Sequence, residues 1–184
     1  MYDISIFVRF IVMSSITFMF NKPKAIETIL YLAHKISNPD RYGICKLLYL
    51  ADKVSLANYG RFIFGESYVA MEEGATPSRS YDLLKNAAAK SINGLKVEGN
   101  KVIAQRPPNL DYLSESDIEC LDLIISKYGY HPKSGGKDAH DAAWQTSWDQ
   151  RGLKRSVKIP VESIARLFTD SDDLISYLSK CDVK

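Results

Sequence analysis

Three cysteines and three histidines in 184 residues leave little material for thiol or metal chemistry. Cys45, Cys120 and Cys181 stand far apart with no C-x-x-C pair. That pattern fits free thiols in a reducing cytoplasm, not a disulfide frame or a zinc site. Cys45 and Cys120 fall inside helical patterns, where cysteine acts as a small apolar packing residue. His34, His131 and His140 lie in three separate elements with no partner at i+3 or i+4, so no metal is expected. Asp170, Asp172 and Asp173 resemble a calcium run, but the glycine and closing glutamate of such a loop are missing, and helix capping explains them better. Gly94, Gly99, Gly129 and Gly135-Gly136 punctuate turns without forming a phosphate loop, so no cofactor is expected. A nucleophile elbow is also missing, and Ser134 and Ser147 stand in no diagnostic context. The net charge of +2 lacks the concentrated basic face of a dedicated nucleic-acid binder. There is no internal repeat, low-complexity tract or evident interdomain linker.

What is present is an ordinary globular composition, 46% hydrophobic, enough for one domain to bury a core without staples. Ile4 to Phe20 is strongly apolar, yet Arg9 interrupts it and it is short for a membrane span. It also lacks the basic start and small-residue cleavage site of a signal peptide. Residues 1–20 are therefore expected to be an apolar leader from an over-called start, with Met13 or Met19 as the true one, or an arm packing on the domain or a neighbour. On this reading residues 1–19 are dispensable for folding, residues 21–184 form the domain, and a membrane contact would require the leader to be exposed.

The periodicity predicts a mainly α fold with a minor β-hairpin, a single-domain helical bundle around a central helix at about 41–59. Asn21 caps a first helix reaching about Ile36, with Pro23 in its first turn. Ile44, Leu47, Leu48, Ala51 and Val54 stripe the second helix, Gly60 stops it, and Leu50 and Ala57 suggest that a second side is covered. Arg61–Phe64 and Tyr68–Met71 read as extended connectors or a minimal hairpin. Thr76-Pro77 predicts a helix start with the threonine hydroxyl as cap. Leu95 to Ile103 predicts a hairpin around Gly99-Asn100. Ser114 or Ser116 opens another helix in capping-box style. A further helix carries Ala139, Ala143 and Trp144. Asp149–Pro160 reads as a polar, basic connector, followed by two short helices.

Several of these residues also carry a family pattern. Lys46-Leu47-Leu48-Tyr49-Leu50-Ala51-Asp52, Tyr59-Gly60, Ala70-Met71-Glu72-Glu73-Gly74, and Pro77 with Tyr81 follow one another, and His140-Asp141-Ala142-Ala143-Trp144 lies downstream. Together these motifs, within 46–148, resemble the Panacea, or SocA-like, antitoxin domain of bacteria and phages. One departure is Ala75, where that family usually has proline. The resemblance implies a cytoplasmic, non-enzymatic antitoxin that binds a cognate protein toxin and holds it inactive. It further implies pairing with many unrelated toxins, and one relative is described as an adaptor presenting its toxin to a protease. Self-association is a further expectation. The alternatives are a nucleic-acid-binding autoregulator, disfavoured by charge, and a proteolytic adaptor.

The residues singled out for toxin contact or family motif are Lys46, Tyr49, Asp52, Tyr59, Tyr81, His140 and Trp144. Lys46, Tyr49 and Asp52 share a helix edge at spacing three, either as a polar binding surface or as half-buried groups satisfied by each other, a helix end or Arg79. Adjacent His140 and Asp141 in a helix would point about 100° apart, which argues against a catalytic pair and for His140 packing on Trp144. Arg151, Lys154 and Arg155 are candidate electrostatic contacts to an acidic partner, or a solvated loop.

Overall fold

In the computed structural model, which describes residues 15–181, the chain is mainly α with two small antiparallel sheets. Helix α1 (Lys22–Lys35) starts where the Asn21 side chain accepts the Lys24 N–H. Helix α2 (Arg41–Tyr59) starts at Asp40, whose carboxylate accepts the Gly43 N–H at 2.7 Å, and ends at Gly60. Every residue from Gly43 to Asp52 is buried, so α2 is covered on all sides and forms the axis of the fold. Burying Ile44, Leu47, Leu48 and Leu56 in this way stabilises the fold by about 1.5–3 kcal/mol per side chain.

Strands β1 (Tyr68–Met71) and β2 (Gly74–Pro77) form a hairpin around Glu72-Glu73, and Arg61–Phe64 takes no part in it. Of the two readings of Arg61–Phe64, the hairpin is thus corrected and the connector stands. Phe62, Ile63 and Phe64 are all buried, and Asp52 draws the Ile63 N–H inward at 2.7 Å, which removes that backbone from any ladder. Helix α3 (Ser78–Ala89) also departs from expectation. Its capping group is Glu66, which accepts the N–H groups of Arg79 and Ser80, while the Thr76 hydroxyl donates to the Gly74 carbonyl. A carboxylate at a helix start satisfies orphan N–H groups and the helix dipole together, so it displaces the hydroxyl.

Strands β3 (Leu95–Glu98) and β4 (Lys101–Ala104) form the expected hairpin around Gly99-Asn100. Its tip is tied to the start of α2 by Arg41 N–H on Asn100 O and Val102 N–H on Pro39 O. Helix α4 (Glu115–Tyr128) begins with a capping box between Ser114 and Asp117. Asp117 is fully buried and also pairs with Lys24 and Arg61. A 3₁₀ turn at Pro132–Ser134 and the single-turn helix α5 (Gly135–Asp138) lead to α6 (Ala142–Asp149). The basic connector contributes β5 (Val157–Lys158), which adds to β1 to give the order β2-β1-β5. Helices α7 (Val161–Ala165) and α8 (Ser171–Cys181) complete the described residues.

Residues 1–14 of the apolar leader lie outside the described residues. Residues 15–20 run extended along the core: Ile16 is buried, Phe18 packs on Phe62 at 4.8 Å between ring centroids, and the Ile16 N–H donates to Glu162 Oε1. The arm passes so close to Gly65 that a Cβ there would stand 2.1 Å from the Met19 carbonyl oxygen. Ile16 and Phe18 therefore pack on the core, as the reading of the segment as an arm on the domain expects, while Met19 is exposed.

Candidate functional site

The motif residues converge where α2, the β1–β2 hairpin and the start of α6 meet. Lys46 is 1% exposed, and its Nζ donates to the Ala75 carbonyl at 3.0 Å while standing 5.0 Å from the centre of the Tyr42 ring. Burial depresses its pKa to about 8, against the opposing pull of Cys45 and Glu73. One turn on, the Tyr49 hydroxyl donates to Asp141 Oδ2, and its ring meets Tyr68 edge-on at 4.9 Å. Burial, with Asp141 adding to it, holds the Tyr49 hydroxyl well above the ordinary phenol range.

Asp52, a further turn along, is wholly buried and accepts the Tyr68 hydroxyl at 2.7 Å and the Ile63 N–H. Burial raises its pKa to about 7, even though both hydrogen bonds pull it down. The Tyr68 hydroxyl also lies 3.2 Å from the Leu48 carbonyl, and its single hydrogen can serve one acceptor at a time. A protonated Asp52 can therefore donate to Tyr68 while Tyr68 donates to Leu48. Lys46 and Asp52 do not pair with each other or with Arg79; each bonds a different strand or loop.

His140 and Asp141 precede α6 instead of lying within it, which corrects the helix placed over Ala139. Asp141 is the N-cap: Oδ1 accepts the Ala143 and Trp144 N–H groups, and Oδ2 accepts Tyr49 and Lys53, the latter at 2.6 Å. All its acceptor directions are used inside the fold. His140 Nδ1–H donates to the Gly136 carbonyl at 2.7 Å, and its ring packs on Trp144 at 4.4 Å, as the spacing predicts. Trp144 is buried, donates its indole N–H to the Met71 carbonyl, and stacks on Trp148. Gly74 closes this junction. Its φ is +97°, and an added Cβ would stand 2.9 Å from His140 Cε1 and 3.1 Å from Lys46 Nζ.

Beside the junction a cavity of about 540 Å³ opens between the start of α2 and the β1–β2 turn. Tyr42, Lys46, Glu72, Glu73 and Tyr81 line it, with Arg41, Asp40 and Lys133 at its edge. Lys46 and Tyr81 are among the residues singled out in the sequence, and Glu72 and Glu73 stand inside the family pattern there. Tyr59 lies apart, 37% exposed, and its hydroxyl donates to Glu119 at 2.6 Å. Arg151 lies over the Trp148 ring at 3.7 Å and donates to the Trp148 carbonyl, while Lys154 and Arg155 are exposed.

The buried thiols are not positioned for chemistry. Burial pushes Cys45 up to about 12 and Cys120 up to about 11, so neither is a thiolate at neutral pH. Among the described residues no group of three His, Cys, Asp or Glu side chains is arranged to hold a metal ion. No helix among them is long and apolar enough to cross a membrane.

A family model described as antitoxin SocA-like, Panacea domain, matches residues 44–144, more than half of the chain. No curated protein and no solved structure matches the chain. The matched stretch begins at the first fully buried turns of α2 and ends at Trp144, so it contains both halves of the junction described above.

Proposed function

The chain belongs to the SocA-like Panacea antitoxin family, and from that premise we propose that it neutralises a cognate protein toxin by direct binding, without turnover. The observation that carries this reading is the use made of the matched residues. Lys46, Tyr49, Asp52, Asp141 and Trp144 each end on backbone or on one another. They build a rigid junction and do not aim reactive groups at a common point, which suits a binding scaffold better than an active centre.

In this reading residues 21–184 act as one antitoxin unit in the cytoplasm, with 1–20 as its arm. The toxin contacts the surface beside the junction, where Tyr81 and the Glu72-Glu73 turn border the cavity. Tyr59 and the Lys154-Arg155 segment are further contacts, and Lys46, Tyr49, Asp52, His140 and Trp144 shape the surface from beneath. An interface of ordinary strength would bury roughly 800 Å² on each partner, with an aromatic anchor and a polar rim. Co-expression with the adjacent gene and purification through a tag on this chain tests the reading. The neighbouring product should co-elute and lose its toxicity; toxicity that persists with no co-elution contradicts it.

A further inference from the structure

The charges around the cavity at the α2 start cancel in number, Arg41, Lys46 and Lys133 against Asp40, Glu72 and Glu73, but only Asp40 and Lys133 among them form an ion pair. At its edge Asp40 pairs with Lys133 at 3.0 Å and Arg41 donates to Asn100 at 2.5 Å. Glu72 and Glu73, in the β1–β2 turn, are exposed and have no hydrogen-bond or ion-pair partner among the described residues. Lys46 is the opposite case. It is 99% buried; one of its three donors is used on Ala75, its charge faces the Tyr42 ring and feels Glu73 from a distance, and no carboxylate among the described residues bonds it. A buried ammonium with unfilled donors favours an incoming oxygen acceptor, and an anionic one most.

The result is a cation at depth with two free carboxylates at the turn. A free phosphate or a simple anion would meet Lys46 but would be repelled by Glu72 and Glu73. A purely basic side chain would meet the glutamates and leave Lys46 unfilled. The volume, about 540 Å³, is that of a cleft which takes a whole small ligand. The end of a peptide chain satisfies all three conditions. Its carboxylate reaches the depth with one strand of backbone, whereas an internal acidic residue must bring two. A basic side chain just before the end then falls beside the glutamates, and Tyr42 and Tyr81 flank the backbone.

We propose that this cavity captures the C-terminal carboxylate of a basic tail on the partner protein, with Lys46 holding the carboxylate and Glu72 and Glu73 the basic side chain before it. The inference rests on the reading that the chain binds a protein toxin, and it specifies the chemistry of that toxin's tail.

Fluorescence anisotropy on the full chain tests it with three labelled hexapeptides: one ending Arg-Lys with a free carboxylate, its C-terminal amide, and a free-acid peptide with both basic residues replaced by glutamate. The basic free acid should bind at least about tenfold more tightly than either control, since a hydrogen bond to a charged group has that worth. The double variant Glu72→Lys, Glu73→Lys, exposed and therefore expected to fold normally, should weaken the basic free acid by about tenfold or more. Equal binding of acid and amide, no binding of any peptide, or an unaffected double variant would overturn the assignment. The two ideas fail separately. If the neighbouring gene's product co-purifies equally with wild type and double variant, the tail assignment falls and the antitoxin reading stands. If the basic peptide binds as predicted but that product never co-purifies, the cavity assignment stands and the toxin reading falls.

Discussion

The hydroxyl of Tyr49 donates to Asp141 Oδ2 at 2.9 Å across 92 positions of sequence. That bond joins the middle of α2 to the residue that caps α6, and Lys53 meets the same oxygen at 2.6 Å. Because Asp141 also caps α6 with its other oxygen, the orientation of Trp144 is coupled to the central helix. The two sequence motifs of the family are therefore halves of one polar joint.

Asp52 gives the fold a pH dependence of definite sign. Burial raises its carboxyl to about 7, from 3.8 in the unfolded chain. Between those values the folded state keeps a proton that the unfolded chain has released. Its contribution is thus fully present below about pH 4 and lost as pH rises to about 7. Urea unfolding of wild type and Asp52→Asn should show the wild type losing about 2–4 kcal/mol relative to the variant between about pH 4 and pH 7.5. A difference that does not change with pH would contradict the burial argument.

Gly74 combines two costs that Gly152 separates. Both have positive φ, +97° and +59°, but an added Cβ meets nothing within 4 Å at Gly152 and meets His140 and Lys46 at Gly74. Gly152→Ala should cost about 1 kcal/mol from the dihedral alone. Gly74→Ala should cost about 2–3 kcal/mol, with the excess due to crowding at the junction. Equal losses in thermal unfolding would mean that His140 and Lys46 yield freely.

The packing of the arm sets a test for the expectation that residues 1–19 are dispensable. A chain starting at Met19 loses the buried Ile16, the Phe18–Phe62 contact and the N–H held by Glu162. Its stability should fall by roughly 3 kcal/mol, a drop in Tm of about 6–12 °C. A melting temperature within about two degrees of wild type would show that the arm adds nothing.

The basic connector is not uniform. Arg151→Glu removes a guanidinium stacked at 3.7 Å on Trp148 and should cost about 1 kcal/mol. Lys154→Glu with Arg155→Glu should leave stability within about 0.5 kcal/mol, because both are exposed. If these two steer an acidic toxin, their reversal should slow association, and the difference should vanish at high salt. Unchanged association rates at low salt would remove them from the interface.

The helical frame was legible because its signals are local. Asn21, Gly60 and Ser114 mark ends that depend on residues within one turn, and the α2 stripe runs on both sides. The misplacements share one physical cause, a side chain distant in sequence that satisfies a backbone group. Glu66 takes the cap expected of Thr76, Asp52 holds the Ile63 N–H that a hairpin partner would have taken, and Asp141 moves the start of α6 past His140. Of the site, the motif residues were legible by resemblance. The cavity was not, since Tyr42, Glu72 and Glu73 are brought around Lys46 only by the packing of the β1–β2 turn on α2.

Stoichiometry tests the account's central claim most directly. The neighbouring gene's toxin, assayed for its own activity in vitro, can be titrated with this purified chain and each point run on a sizing column. Binding without turnover predicts inhibition that rises linearly to a sharp end point at a fixed molar ratio, with both proteins eluting together. Complete inhibition at strongly substoichiometric antitoxin, with no complex on the column, would contradict that claim and point to an enzyme. Inactivity of the purified chain in vitro, together with protease-dependent rescue in cells, would contradict it in favour of a proteolytic adaptor.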